Sequence, residues 1–213
     1  MRPDQRGWLF NNEQDQSSLS SIFGFDMTRV LDDPVIRTAA LMYIFHRTEE
    51  LLTGDPVMIF LDEGWRLLDD EVFAFFIKDK LKTIRKQNGI IGFGTQSAAD
   101  IVRSKSANTL IEQTATNIFF PNPKADDESY AQAFRLSERE VAWIRNTGAE
   151  SRSFLIKHGR DSVIAKLNLV GMPDLIKVLS GRTETIAELA ALRARVGDDP
   201  ADWLPIFMGR SDA

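Results

Sequence analysis

Five consecutive apolar residues, Val57-Met58-Ile59-Phe60-Leu61, run directly into two acids, Asp62 and Glu63. An unbroken Val/Ile/Leu/Phe run of this length reads as a strand buried on both faces of a parallel sheet. Its last side chains emerge at the carboxyl edge, where open α/β sheets bind ligands. A second run, Ile90-Ile91-Gly92-Phe93-Gly94-Thr95, ends on Gln96 in the same manner. If strands 57–61 and 90–95 are parallel neighbours, Asp62, Glu63 and Gln96 converge on one solvent-reachable cleft.

The remaining elements emerge from capping and periodicity. Trp8-Leu9-Phe10 is a short apolar segment, residues 11–21 read as a polar loop, and 22–26 reads as a strand. Asp33-Pro34 marks a helix start, with Ile36, Ala40, Tyr43 and Ile44 at helical spacing behind it, and Gly54-Asp55-Pro56 ends that helix. A helix over about 70–86 comes next, with Phe73, Ile77, Leu81 and Ile84 on one face, and Asn88-Gly89 turns the chain. One or two helices between 98 and 113 lead to a third strand at 116–120, halted by Pro121 and Pro123. Strand and helix in alternation predict a parallel sheet. Beyond Asp126 two short helices are expected, the second opened by the capping box Ser137-Glu138-Arg139-Glu140. Residues 151–157 and 162–168 form an antiparallel hairpin around His158-Gly159-Arg160-Asp161, and helices at 173–179 and 185–196 precede an apolar tail of Trp203, Leu204, Ile206 and Phe207.

Composition narrows the function classes. With 213 residues and 43% hydrophobic content the chain can bury a core, and a net charge of −5 lacks the basic excess of a dedicated nucleic-acid binder. Zero cysteines leave no disulfide or thiolate metal site and fit a reducing compartment. No apolar run reaches the roughly 20 residues a membrane helix needs, and no secretory leader is evident at the start given; the expectation is cytoplasmic.

Two acids closing a buried strand read as the Walker B element of a P-loop ATPase. The first carboxylate helps hold Mg²⁺ near the β- and γ-phosphates and the second polarises the attacking water. Gln96 fits a sensor that contacts phosphate or water without titrating, or else a helix-entry residue with Ser97 as the cap. Arg85 and Lys86 either meet the negative end of the long helix or serve as an arginine finger or phosphate contact at a subunit boundary, with Arg103 and Arg66 as weaker candidates. His46 and His158 have no metal-ligand pattern. Trp8, Trp65, Trp143 and Trp203 read as core or interface anchors, there being no basic interleaving for a base-stacking platform. The phosphate cradle G-x-x-x-x-G-K-[ST] occurs nowhere in the 213 residues.

The runs Phe25-Asp26-Met27-Thr28, Leu61-Asp62-Glu63-Gly64-Trp65, Leu81-Lys82-Thr83-Ile84-Arg85-Lys86-Gln87-Asn88-Gly89, Gly94-Thr95-Gln96-Ser97, Pro121-Asn122-Pro123 and Val178-Leu179-Ser180-Gly181 occur in an order that resembles the carboxyl-terminal ATPase domain of the CagE/TrbE/VirB family, the fourth VirB component of type IV secretion systems. The likeness runs from about residue 8 to 181. It implies a RecA-like P-loop NTPase core with a mainly parallel sheet, here lacking the Walker A segment, followed by a hairpin and helices. It implies ATP and Mg²⁺ as ligands of the full-length enzyme, Asp62 as the Mg²⁺-associated acid, Glu63 as the base, Gln96 as the sensor, and Arg85 and Lys86 as nucleotide or neighbour contacts. Gly64 stands where the family often has a larger residue.

The expectation is a partial RecA-like domain over 1–181, a helical tail over 182–213, and a role in a type IV secretion or conjugation ATPase that couples hydrolysis to pilus assembly and transport. Without a P-loop the chain is expected to be inactive alone. Its expected partners are other secretion subunits and further copies of itself, on the cytoplasmic side and peripheral to the inner membrane, with nucleic acid not indicated. Two alternatives stand beside this: another HerA/FtsK-like motor such as a coupling protein, and a non-catalytic assembly module. A missing strand and P-loop would leave exposed apolar surface beside strands 57–61 and 90–95, inviting self-association or coverage by the amino-terminal loop.

Overall fold

The computed structural model describes residues 21–209 apart from Asp69, and the side chains of Trp65 and Arg66 fall outside that description. So do the apolar segment 8–10 and all but the last residue of the loop read at 11–21. The first helix, α1 (Pro34–Leu51), begins as the sequence predicts: Asp33 accepts the backbone N–H groups of Val35 and Ile36 at 3.0 and 3.3 Å, and proline takes the first helical turn. Strand β1 (Val57–Leu61) then leads through a 3-10 turn into α2 (Glu71–Thr83), which passes through a second 3-10 turn, Ile84–Gln87, into β2 (Gly89–Phe93). Asn88 adopts the left-handed conformation at φ 59° and reverses the chain.

β1 and β2 are parallel, in register from Val57 opposite Gly89 to Leu61 opposite Phe93. One face of the pair is covered by a core of Leu41 and Phe45 from α1, Leu67, Leu68, the α2 residues Phe73, Phe76 and Ile77, and Leu110. The Phe45 and Phe76 rings stack with centroids 3.7 Å apart, and Leu61 and Phe93 pack against the same cluster. The opposite face is bare. Met58, Phe60 and Ile90 are 69%, 64% and 64% exposed, which corrects the expectation of strands buried on both faces. The helices that could cover a face, α1 and α2, both pack into the single cluster that Leu61 and Phe93 face.

Helices α3 (Ala98–Arg103) and α4 (Ala107–Gln113) lead to β3 (Thr116–Phe119). Here the expectation of a mainly parallel sheet fails. β3 does not extend the first sheet; it pairs antiparallel with β4 (Ser153–His158), which pairs antiparallel with β5 (Asp161–Lys166). The reason lies in the hairpin. Its two-residue turn opens with Gly159 at φ 60°, as a type II′ turn requires, so β4 arrives already paired and offers β3 an edge in register. Between β3 and β4 lie a π-helical segment, Glu128–Ala133, and α5 (Glu138–Asn146), whose start carries the predicted reciprocal capping box of Ser137 and Glu140. A second core of Phe119, Ala125, Tyr130, Leu136, Val141, Ile144 and Leu155 fills this half. Helix α3 links the halves, since Ile101 packs on the first core and Ala98 on the second.

The chain continues as α6 (Pro173–Leu179), α7 (Thr183–Val196) and α8 (Pro200–Phe207). The apolar tail is thus helical, and Phe207 is 1% exposed beneath the Lys177 ammonium, 4.5 Å from its ring centroid. Lys177 also pairs with Glu188 of α7 at 2.6 Å. Residues 22–26 are irregular and not a strand: no strand edge pairs with them, Ile22 is 88% exposed, and Asp26 turns back to accept the Thr28 N–H at 2.9 Å.

Candidate functional site

The site forms where β1 and β2 end together. Beyond Leu61 the chain turns sharply. Asp62 is exposed, and Glu63 is half-buried at φ 50°, a left-handed conformation that costs a non-glycine residue on the order of 1–3 kcal/mol and persists only where its surroundings impose it. The next residue helps impose it. Gly64 is buried so closely against β2 that a Cβ there would come 2.8 Å from the Phe93 ring and 3.3 Å from Leu61, so any larger residue needs that ring to move.

On the neighbouring strand, the Gly94 N–H continues the parallel ladder to the Leu61 carbonyl at 2.9 Å. A Cβ on Gly94 would lie 3.1 Å from an Asp62 carboxylate oxygen, so glycine lets the acid sit over the backbone. Two residues on, the Gln96 side-chain amide donates to Glu63 Oε1. The three polar residues read from the strand ends, Asp62, Glu63 and Gln96, therefore share one sheet edge. The Thr95 hydroxyl accepts the Ser97 N–H at 3.2 Å and donates to the Ser97 carbonyl at 3.1 Å. Ser97 occupies the cap position of α3 but makes no side-chain cap bond, which leaves the helix-entry reading of this stretch to Thr95. The site-forming roles of Thr95 and the two glycines do not emerge from the sequence reading. The adjacency of Gly64 to Glu63, and the string Gly94-Thr95-Gln96, are the signals that point to them.

Arg85 and Lys86 are not brought to this edge. They are exposed on the 3-10 turn that enters β2, whereas Gln96 lies past its exit. A five-residue strand separates the two ends by roughly 16 Å at about 3.3 Å per residue. Within one chain they therefore stand apart from Gln96, at the opposite end of β2. Arg103 is exposed in the last turn of α3, near Asp126, whose carboxyl is held below its usual range first by the Ser129 N–H and further by the Arg103 charge. His46 lies 3.7 Å from Glu50 on its own helix, and His158 Nδ1 is 2.8 Å from the Thr116 hydroxyl. Among the described residues no group of three or more His, Cys, Asp or Glu could hold a metal.

Beside Gln96 opens a cleft of about 780 Å³, bordered by β2, β3, α3 and α4 and walled by Ile91, Phe93, Leu110, Ile118, Phe119 and Tyr130. It separates the two sheets.

The strand–turn edge thus carries an acid pair and an amide on an α/β scaffold. The family of TraG P-loop domains matches residues 4–151. The chain is 47% identical over 214 residues to the type IV secretion system protein virB4 of Bartonella henselae, covering 100% of this chain and 27% of that protein. It is 38% identical to the type IV secretion system protein PtlC of Bordetella pertussis, over 94% of this chain and 25% of that one. Among solved structures, VirB4 of Thermoanaerobacter pseudethanolicus superposes with a TM-score of 0.56 at 19% identity, over 68% of this chain and 40% of the other, which speaks to fold. This chain belongs to the TraG P-loop domain family, among the VirB4 proteins of type IV secretion systems. It spans about a quarter of the length of the curated relatives it matches.

Proposed function

We propose that this chain carries the hydrolytic edge of a type IV secretion ATPase, with Glu63 as general base, Gln96 as sensor and Asp62 as the Mg²⁺-associated acid. The observation that supports it most is the Gln96 amide on the Glu63 carboxylate at the common end of two parallel strands. The amide fixes one carboxylate oxygen and leaves Oε2 to accept a proton from water as that water attacks a γ-phosphate. Gln96, uncharged at every working pH, can hand its N–H to a phosphate oxygen without changing protonation state. The exposed Asp62 carboxylate is a hard oxygen donor of the kind Mg²⁺ uses, one or two carboxylates beside phosphate oxygens and water. When bound, Mg²⁺ supplies charge neutralisation on the phosphate oxygens.

The principal phosphate cradle, absent from these 213 residues as a motif, has to come from elsewhere in the working enzyme. Arg85 and Lys86, remote from Glu63 in their own chain, suit a contact with a neighbouring subunit's nucleotide, which makes a homo-oligomer part of the proposal. Work on pilus assembly or substrate transport, association with other secretion subunits, and a cytoplasmic position peripheral to the inner membrane complete it. No helix among the described residues is long and apolar enough to cross a membrane.

The test is ATP turnover in the full-length context. Glu63→Gln should retain nucleotide binding and lose roughly 10²-fold or more in turnover, the scale of a lost general base. The isolated chain should turn over no appreciable ATP. Full turnover in Glu63→Gln would overturn the assignment.

A further inference from the structure

Strand β5 ends the second sheet, and among the described residues only its β4 side is paired. The Leu167 N–H donates to the Arg152 carbonyl at 3.1 Å, which fixes which backbone groups face β4. Backbone groups alternate sides along an antiparallel strand. Asp161, Val163 and Ala165 therefore also face β4, and Ser162, Ile164 and Lys166 turn their N–H and C=O groups to the open side. Edge strands are ordinarily blunted by proline, a bulge or a charge at mid-strand. β5 has none of these. It pairs with β4 residue for residue from Asp161 to Lys166, its charges stand at its two ends, and Val163 and Ile164 between them are 58% and 50% exposed.

We propose that this edge pairs with the same edge of a second copy of the chain, antiparallel about a two-fold axis at Ile164, so that two hairpin sheets become one. The occupant follows from the strand's own sequence. Two antiparallel edges bond only where open-side residues oppose open-side residues, which limits the axis to a few positions. An axis at Val163 sets Arg160 against Lys166, two cations, and one at Ala165 sets Ile164 against the Lys166 ammonium. An axis at Ile164 sets that side chain on its copy, Val163 against Ala165, and Ser162 against Lys166. Every open-side residue of β5 then exchanges both of its backbone hydrogen bonds, and no like charges stand directly opposite. Charge matches as well. The Ser162 hydroxyl bonds to the Glu140 carboxylate, and the Lys166 ammonium of the second copy, opposite Ser162 on the same face, arrives beside that carboxylate. The pairing does not rest on the hydrolytic reading, whose neighbour contact uses Arg85 and Lys86 at the entry to β2.

The experiment uses the 213-residue chain, which has no cysteine of its own. Sedimentation between about 1 and about 200 μM should show a monomer–dimer equilibrium. Across that range amide exchange at Ser162, Ile164 and Lys166 should slow about tenfold or more, while Val163 and Ala165, already bonded to β4, change little. Among single cysteines placed at 162 to 165, only Ile164→Cys should link to its own copy under mild oxidation. Ile164→Pro removes an open-side N–H without touching the ladder to β4, and should weaken the dimer about tenfold or more. Should that variant not fold, Ile164→Lys sets two ammonium groups face to face at a half-exposed position and should weaken the dimer likewise. A chain that stays monomeric, a dimer unmoved by the Ile164 variants, or self-linking at another of the four positions instead would overturn the proposal.

Discussion

Gln96 donates its side-chain amide to the carboxylate of Glu63, a residue 33 positions earlier in the chain. The meeting is a consequence of register. Leu61 and Phe93 are paired across β1 and β2; Glu63 lies two residues past the first and Gln96 three past the second. The left-handed turn at Glu63 brings its side chain back toward β2.

Because Gln96 is exposed and fills no core, Gln96→Ala should leave thermal stability within about 0.5 kcal/mol of the parent. In the full-length context it should slow turnover severalfold or more. A sharp fall in melting temperature with unchanged turnover per folded molecule would instead make it a packing residue.

Asp70 ties α1 to α2. Its buried carboxylate caps α2 through Val72 and Phe73 at 3.1 and 3.2 Å, and receives Arg37 at 3.3 Å and Thr38 at 3.2 Å from α1. Asp70→Ala should cost about 3 kcal/mol in urea unfolding, combining a lost cap with a partly buried guanidinium left short of a partner. Asp70→Asn retains the cap acceptor and should cost less.

Glu140 sets an acid limit on the second half. Burial raises its pKa, but the Ser137 N–H, the Lys157 ammonium at 3.0 and 3.2 Å, and the hydroxyls of Ser162 and Ser137 outweigh it and hold the carboxyl at about 2, against 4.5 unperturbed. A carboxyl depressed in the folded state contributes stability in full above its unfolded value and loses it as pH falls through the folded one. Unfolding free energy should therefore decline between pH 4.5 and about 2, a slope that Glu140→Gln flattens while lowering stability near neutrality.

Phe207→Ala should open a cavity beneath Lys177 and cost about 3–4 kcal/mol locally. Protease cleavage between 180 and 209 should quicken first, with β1, β2 and their core still protected. Equal loss of protection throughout would show that the last three helices unfold only with the rest.

The features legible in the sequence are those it determines locally. Asp33-Pro34, the Ser137–Glu140 box and the turn at Gly159 each act within four residues, and each stands in the structure where the sequence places it. The same holds for the two strand ends that bear Asp62, Glu63 and Gln96. Partner choice is not legible. Nothing in residues 116–120 says whether they extend a parallel pair or join a hairpin forty residues later, since apolar runs of that length suit either sheet. Nor does the bare side of β1 show, because Met58 and Phe60 are as apolar as the Leu61 that is covered. The distance of Arg85 and Lys86 from Gln96 is not legible for a related reason: proximity in sequence to β2 does not say at which end of the strand a side chain sits.

Helix α3 begins two residues after Gln96, with Ala98 set in one core and Ile101 in the other. In mechanical terms it is a short rod footed in two bodies and tethered at one end to the site. A displacement of Gln96 would pull on one end of that rod, whose six residues reach both the core under the parallel pair and the core of the hairpin half.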